Sequence, residues 1–241
     1  MARLSVNINK IALIRNSRGS DMPNLLKVAL DCEDFGAQGI TVHPRPDKRH
    51  IRYDDIPVLR NNIRTEFNIE GNPTPDFIEL VLQNPPHQVT LVPDAPDALT
   101  SNQGWDTVKN AQFLKEVIAR FKDKGIRVSI FLDPDPEMVE AAVITGTDRI
   151  ELYTGPFAED YAKGSKDVLD QHVKAARMAT SLGLGVNAGH DLNLSNLRLY
   201  SQSIKDLEEV SIGHALVCDA LYFGLQNTIK MYLDKLNGAA V

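Results

Sequence analysis

Apolar positions along the chain recur in two alternating rhythms. Short runs rich in β-branched residues read as strands: residues 4–7 (LSVN), 39–43 (GITVH), 67–70 (FNIE), 88–92 (QVTLV), 126–132 (IRVSIFL), 148–153 (DRIELY), 184–188 (LGVNA) and 210–212 (VSI). Between them, apolar residues return at helical spacing. Residues 25–35 form one such stretch, stopped by Gly36, and residues 54–64 carry Ile56, Leu59 and Ile63 on one face. Thr74 followed by Pro75 is an N-cap and first helical residue for a helix over 75–83. Helices are also expected over 107–124, from Asp135-Pro136 to near Gly146, over 166–182, around 194–200, and as one closing helix over 214–236. Residues 7–19 read as a turn, 93–106 as a polar loop, and the stretch after 153 as an extended loop.

Eight strand–helix units in 241 residues, unbroken by a linker or low-complexity run, predict the α/β class and a single (β/α)8 TIM barrel, one domain spanning residues 1–241. The strands are short and apolar, as parallel strands covered on both faces are. The structural competitor, an open doubly wound sheet, would be expected to open with a Gly-rich turn. Residues 7–19 contain no GxGxxG, and no GxxxxGK[ST] occurs, so dinucleotide and P-loop readings lose their support.

Composition narrows the function. A hydrophobic fraction of 43% with 24% charged residues is that of a globular domain, and a net charge of −6 excludes the basic footprint of a nucleic-acid binder. No run of about 18 apolar residues is present to span a bilayer, and the first residues lack a secretory h-region. Cys32 and Cys218, each in an apolar helical stretch, are expected to be free thiols, and no Cys/His spacing for structural zinc exists.

The candidate chemistry is positional. Asn7 follows the first strand, His43 and Arg45 the second, and Glu70 ends the third. Glu151 lies in the sixth, His190 follows the seventh, and Gly213-His214 the eighth. In a barrel these ends converge on one mouth. Four of the six histidines, His43, His50, His190 and His214, lie at or just beyond strand ends, whereas His87 and His172 are expected to be structural or solvated. Singly, each group has an ordinary reading as a cap or ion-pair partner; together they point into one cavity.

Two anion sites are expected at that mouth. HPRPDKRH (43–50) supplies Arg45, Lys48, Arg49 and His50, and guanidinium matches phosphate oxygens in paired hydrogen bonds. SIGHALVC (211–218) offers Gly213 and a helix N-terminus, beside NAGHDLN (187–193). Two such sites suggest two phosphorylated substrates or one bisphosphate, with His43, Glu70, Glu151 and His190 moving protons between them. Glu70 with two histidines is the rival metal arrangement, and Lys10, just past the first strand, is the one credible amine nucleophile.

Several segments carry a family resemblance: VNINKIALIRNSRG (6–19), GITVHPRPDKRHI (39–51), NIE (68–70), LVP (91–93), IEL-TG (150–155), LGLGVNAGHDLN (182–193) and SIGHA (211–215). In this order they resemble the pyridoxine 5′-phosphate synthase family over essentially the whole chain. The resemblance implies a cofactor-free, metal-free condensation of 3-amino-2-oxopropyl phosphate with 1-deoxy-D-xylulose 5-phosphate, giving pyridoxine 5′-phosphate, phosphate and water. It implies that His43 and Glu70 accept protons, His190 donates one, and Glu151 stabilises developing charge. Asn7, Arg18, Asp191, Gly213 and His214 would hold the aminoketone phosphate; Asn9, Lys10, Arg45, His50 and Thr100 the deoxyxylulose phosphate. It also implies a cytoplasmic homo-octamer assembled through extra helices on the barrel. The polar stretch 93–106, with Thr100, is the candidate lid.

The chain departs from the family pattern at Asn9-Lys10, where many members carry Asp-His, and at Asp191, where Gly is common. Two other functions remain open at this point. One is a barrel aldolase or isomerase acting on a single phosphorylated sugar, through Lys10 or a metal at Glu70. The other is a non-catalytic barrel that binds a phosphorylated metabolite.

Overall fold

Alternation along each strand sends its residues to two different places. The structure, a computed structural model, describes residues 1–95, 101–165 and 167–238. Eight parallel strands close into a barrel in chain order: β1 (Arg3–Asn7), β2 (Gly39–Val42), β3 (Glu66–Gly71), β4 (Gln88–Leu91), β5 (Arg127–Leu132), β6 (Arg149–Tyr153), β7 (Gly185–Gly189) and β8 (Leu207–Ile212). Pairing of β8 with β1, from Arg3↔Glu209 to Val6↔Ile212, closes the ring, so the barrel expectation holds and the open sheet does not. Around it run α1 (Asn9–Asn16), α2 (Leu25–Asp34), α3 (Asp55–Asn62), α4 (Pro75–Gln83), α5 (Thr107–Lys122), α6 (Pro136–Ile144), α7 (Gly155–Ala162), α8 (Asp167–Ser181), α9 (Leu197–Ser203), α10 (His214–Phe223) and α11 (Leu225–Leu236).

One parity of each strand is aliphatic or aromatic. Leu4, Val6, Ile40, Val42, Phe67, Ile69, Val89 and Leu91 are buried with helix residues such as Ala29, Leu59, Val81 and Phe121. Each such side chain contributes about 1.5–3 kcal/mol by leaving water. The other parity is polar and also buried. Ser5 and Thr41 share a hydrogen bond of 2.7 Å, Asn68 donates to Thr41 at 3.3 Å, and Thr90 donates to Asn68 at 3.1 Å. Asn187 donates to Gln88 at 3.4 Å and accepts from Arg149 at 3.1 Å. At the N-terminal end of the strands Glu66 accepts from Arg3 at 2.7 Å and also pairs with Arg127. The lumen is therefore a largely hydrogen-bonded polar core inside an apolar sleeve, although the Gln88 amide nitrogen, the Ser129 hydroxyl and one Glu209 oxygen are buried there without a hydrogen-bond partner among the described residues.

Four elements differ from the expectations. Residues 9–16, expected as a turn, form α1; its cap makes no side-chain hydrogen bond and its buried face includes Arg15, so neither cap nor apolar stripe announces it. Arg15 is held there by Asp55 at 2.7 Å. Residues 155–162, expected as extended loop, form α7, whose cap residue Thr154 donates its hydroxyl to the Gly189 carbonyl at 2.7 Å instead of capping. The closing helix is two helices, because Gly224 adopts φ 75, ψ 149, a conformation essentially restricted to glycine. β8 begins at Leu207 rather than 210: a register shift opposite Val186/Asn187 pairs Leu207 and Glu209 but skips Glu208, which disguises the alternation.

Asn24, Thr74, Asp106 and Asp135 cap α2, α4, α5 and α6 with side-chain hydrogen bonds. Cys32 is buried and Cys218 half-buried, both free, and burial pushes the Cys32 thiol up to about 12. His87 and His172 are structural as expected: His87 accepts from the Phe67 N–H at 3.0 Å, and buried His172 lies 3.0 Å from the Tyr200 hydroxyl. Among the described residues no helix is long and apolar enough to cross a membrane.

Candidate active site

The C-terminal strand ends bring most of the expected residues to one mouth. Asn7, at the end of β1, accepts the Asn9 N–H at 3.0 Å, and its amide nitrogen lies 3.5 Å from Glu70 Oε2. Asn9 in turn accepts the His43 N–H at 2.9 Å, so α1 fixes where the loop after β2 leaves its strand. Ser211 on β8 donates to the other Glu70 oxygen at 3.4 Å, across from β3.

His43 is buried, and desolvation together with the charges of Arg45 and His50 holds it well below the ordinary imidazole range. It is a neutral ring at neutral pH, competent to accept a proton. His50 is pushed down to about 4, by burial and then by Arg45 and Arg49. Its Nδ1 accepts the Ile51 N–H at 2.9 Å, so the neutral ring carries its proton on Nε2 and presents a donor. Arg45 is anchored by buried Asp94, which also accepts from Ser101 at 2.7 Å. The Asp94 carbonyl accepts from Asn72 at 2.8 Å. Farther along the loop Arg49 lies 3.5 Å from Asp47, and Lys48 sits over the Tyr53 ring at 5.1 Å.

The two carboxyls at the mouth are held in their protonated forms. Burial pushes Glu70 up to about 8, and the charge of Asp94 adds to it, against the opposing Ser211 hydrogen bond. Burial raises Glu151 well above the carboxylate range, with Glu70 as the next cause. With protein groups alone around them, both keep a proton near neutrality. That is the state of an acid, and it becomes a base only when a cation is brought close.

After β7, His190 and Asp191 adopt φ 84 and φ 59, and His190 Nδ1 lies 2.8 Å from Asp191 Oδ2. Tyr153 packs edge-on against the His190 ring at 5.3 Å. A side chain at Gly189 would collide with Glu151, and a Cβ at Gly213 would stand 3.1 Å from that of Asn7, so both glycines permit close approach at the mouth. His214 opens α10 and is exposed, while Lys10 is half-buried in the first turn of α1 and its charge reaches His50.

Arg18 is exposed beyond α1, and among the described residues no side-chain hydrogen bond or ion pair ties it to the mouth. Thr100 lies outside the described residues, as does the centre of the expected lid; the described part beyond it is pinned by Gly104 N–H to Asp133 at 3.0 Å and Trp105 N–H to the Phe131 carbonyl at 2.9 Å. Sequence reading passed over Asp94, Ser211 and Tyr153 as site residues; the available signal was their position at or just past strand ends. Among the described residues no group of three or more His, Cys, Asp or Glu is arranged to hold a metal ion. A cavity of about 680 Å³ at the opposite, N-terminal end is lined by Arg3, Arg149, Lys205 and Glu208, and none of the expected catalytic groups faces it.

Residues 4–238 match the family model described as pyridoxal phosphate biosynthesis protein PdxJ. The chain belongs to the PdxJ family. Its similar relatives include pyridoxine 5′-phosphate synthase of Flavobacterium johnsoniae, 61% identical over 236 residues covering 98% of this chain and 100% of the relative. The protein of the same name from Parabacteroides distasonis is 61% identical over 237 residues, with 98% and 100% coverage. Among solved structures, 3-keto-L-gulonate-6-phosphate decarboxylase from Vibrio cholerae superposes with a TM-score of 0.67 at 10% identity, covering 100% of this chain and 99% of that one. Phosphoribosylanthranilate isomerase from Thermotoga maritima superposes with 0.63 at 15%, covering 99% and 100%. At those identities the likeness is one of fold.

The raised carboxyl at Glu70 sets a pH signature. A folded value of about 8 against an ordinary 4.5 leaves stability intact at low pH and removes it as pH rises toward 8. Glu70→Gln, uncharged and of the same shape, escapes that loss. In denaturant unfolding it should gain on the parent by up to about 1 kcal/mol per pH unit between pH 5 and 8 and match it near pH 4.

Proposed function

We propose that this chain catalyses the ring-closing condensation of 3-amino-2-oxopropyl phosphate with 1-deoxy-D-xylulose 5-phosphate, releasing pyridoxine 5′-phosphate, inorganic phosphate and water. The observation that carries the reading is the gathering of neutral His43, protonated Glu70 and Glu151, and His190, groups suited to proton transfer, at the C-terminal strand ends of a PdxJ-family barrel, with Arg45 and the start of α10 at the same rim.

The chemistry needs no net oxidant or reductant. An amine adds to a ketone and water leaves; phosphate is eliminated; an aldol-type closure with loss of water makes the aromatic ring. An ammonium must lose its proton before it attacks, and neutral His43 accepts it. The same cation, drawn between the two carboxyls, favours their ionised forms, so Glu70 becomes a proton acceptor when substrate arrives. Glu151, at the floor of the site beside Gly189, stabilises positive charge on the imine, and His190 returns protons to departing oxygens. Closure over such intermediates protects them from water.

Arg45, oriented by Asp94, with His50 Nε2–H, Asn9, Lys10 and Thr100, holds the deoxyxylulose phosphate. Gly213 and His214 at the start of α10, with Asn7, Arg18 and the backbone at Asp191, hold the aminoketone phosphate. The replacement of acid and imidazole by Asn9 and Lys10 keeps hydrogen bonding there and adds positive charge. The exposed run Leu221, Tyr222 and Phe223, 75%, 86% and 48% accessible at the end of α10, supports self-association, and a homo-octamer is the proposed assembly.

Purified protein given both substrates should release pyridoxine 5′-phosphate and phosphate together; no product at saturating substrate overturns the reading. His43→Ala and Glu70→Gln should each lower kcat by about 10²–10⁴-fold with little change in KM. Arg45→Ala should chiefly raise KM for the deoxyxylulose phosphate. Sedimentation velocity should give eight times the chain mass, and a monomer would contradict the assembly.

A further inference from the structure

Adjacent side chains leaving a strand ordinarily point apart, yet His190 and Asp191 face each other. The cause is the backbone. Two successive left-handed residues, φ 84 and φ 59, curl the chain just past β7 and bring His190 Nδ1 to 2.8 Å from Asp191 Oδ2. For non-glycine residues each such conformation costs on the order of 1–3 kcal/mol and persists only where its surroundings enforce it. The enforcement is visible. Thr154 Oγ1 donates to the carbonyls of both Gly189 and His190, and the amides of Asn193 and Asn196 each donate to the Asp191 carbonyl at 3.3 Å. Tyr153 blocks rotation of the imidazole from the side, meeting it edge-on at 81°.

The carboxylate is ionised across the physiological range. The hydrogen bond with His190 holds Asp191 below the usual value against partial burial, and His214 adds to the effect. An anion facing Nδ1 keeps a proton on that nitrogen. Titratable groups around the pair and its Tyr153 wall include, among the described residues, Glu151 under Gly189, Glu159 on α7, Asp133 beyond β5 and His214 on α10, and His214 is the one of these four that opposes the negative charge.

We infer that Asp191 is a positioning residue that fixes the His190 imidazole in its Nδ1–H tautomer, so that Nε2 is the nitrogen that exchanges protons with the substrate. This rests on the proposed role of His190 as proton donor. It also explains how an acidic side chain is tolerated beside a phosphate-binding strand end: its charge is directed at the imidazole, and the anion is met by backbone.

The test combines 15N imidazole NMR with the pH profile of kcat for the parent, Asp191→Asn and Asp191→Gly. Both replacements accept a positive φ, so the loop is preserved. The parent should show neutral His190 as the Nδ1–H tautomer. Asp191→Asn, which keeps an acceptor and loses the charge, should retain that tautomer but move the alkaline limb of kcat to lower pH. Asp191→Gly should shift the ring toward Nε2–H and lower kcat by about tenfold with KM nearly unchanged. An Nε2–H tautomer in the parent, or a tautomer and pH profile indifferent to Asp191→Gly, overturns the inference. Full kcat in His190→Gln instead overturns the donor role of His190, a result the tautomer measurement does not depend on.

Discussion

The constraint on which the structure depends is the parity of the strands inside a closed ring. Once a strand joins the barrel, alternate residues face either the helices or the lumen, with no third choice. Val6, Ile40, Ile69 and Ile150 go to the helices, and this commits Asn7, Thr41, Glu70 and Glu151 to the inside. Below Glu70, the same parity of β3 carries Asn68 and Glu66; below Glu151, β6 carries Arg149. The mouth carboxyls are thus the upper layer of a polar column that extends through the barrel, not isolated charges set into an apolar core. The opposite layer is felt at the mouth: Glu209 on β8, itself pushed up to about 8 by burial, is among the charges that raise Glu70.

Burial then sets protonation. Desolvation is the leading cause of the shift at His43, His50, Glu70 and Glu151 alike, and it moves bases and acids in opposite senses, giving neutral imidazoles next to neutral carboxyls. A site of neutral, proton-exchanging groups suits chemistry in which a cationic amine arrives and successive protons must be removed and returned. The groups proposed to hold phosphate lie at the rim, where Arg45 is braced by Asp94 and where α10 begins at Gly213.

Most of this was legible in the sequence because the signals were local. β-Branched runs marked the eight strands, Thr74-Pro75 marked α4, and strand-end position alone collected His43, Glu70, His190 and His214. The failures were residues whose role depends on distant partners. Arg15 hid the buried face of α1 because its charge is neutralised by Asp55, forty positions away. Thr154 did not read as the start of α7 because its hydroxyl serves β7. Asp94 read as one polar residue in a loop, and nothing local connects it to Arg45. Gly224 was visible, but a glycine within an amphipathic run does not by itself reveal the positive φ that breaks it. Asp191 read only as a departure from the Gly common in the family, since the curl that turns it toward His190 is enforced by Thr154, Asn193 and Asn196 together.

The central claim is that burial keeps the mouth carboxyls protonated until substrate brings a positive charge. Infrared titration of the carboxylic C=O stretch in the folded protein measures it directly. The account predicts protonated carboxyl absorption at pH 6.5, of which the component missing from Glu70→Gln titrates away in the parent with a midpoint near 8. Carboxyls fully ionised by pH 6, or a signal unchanged by Glu70→Gln, would contradict it.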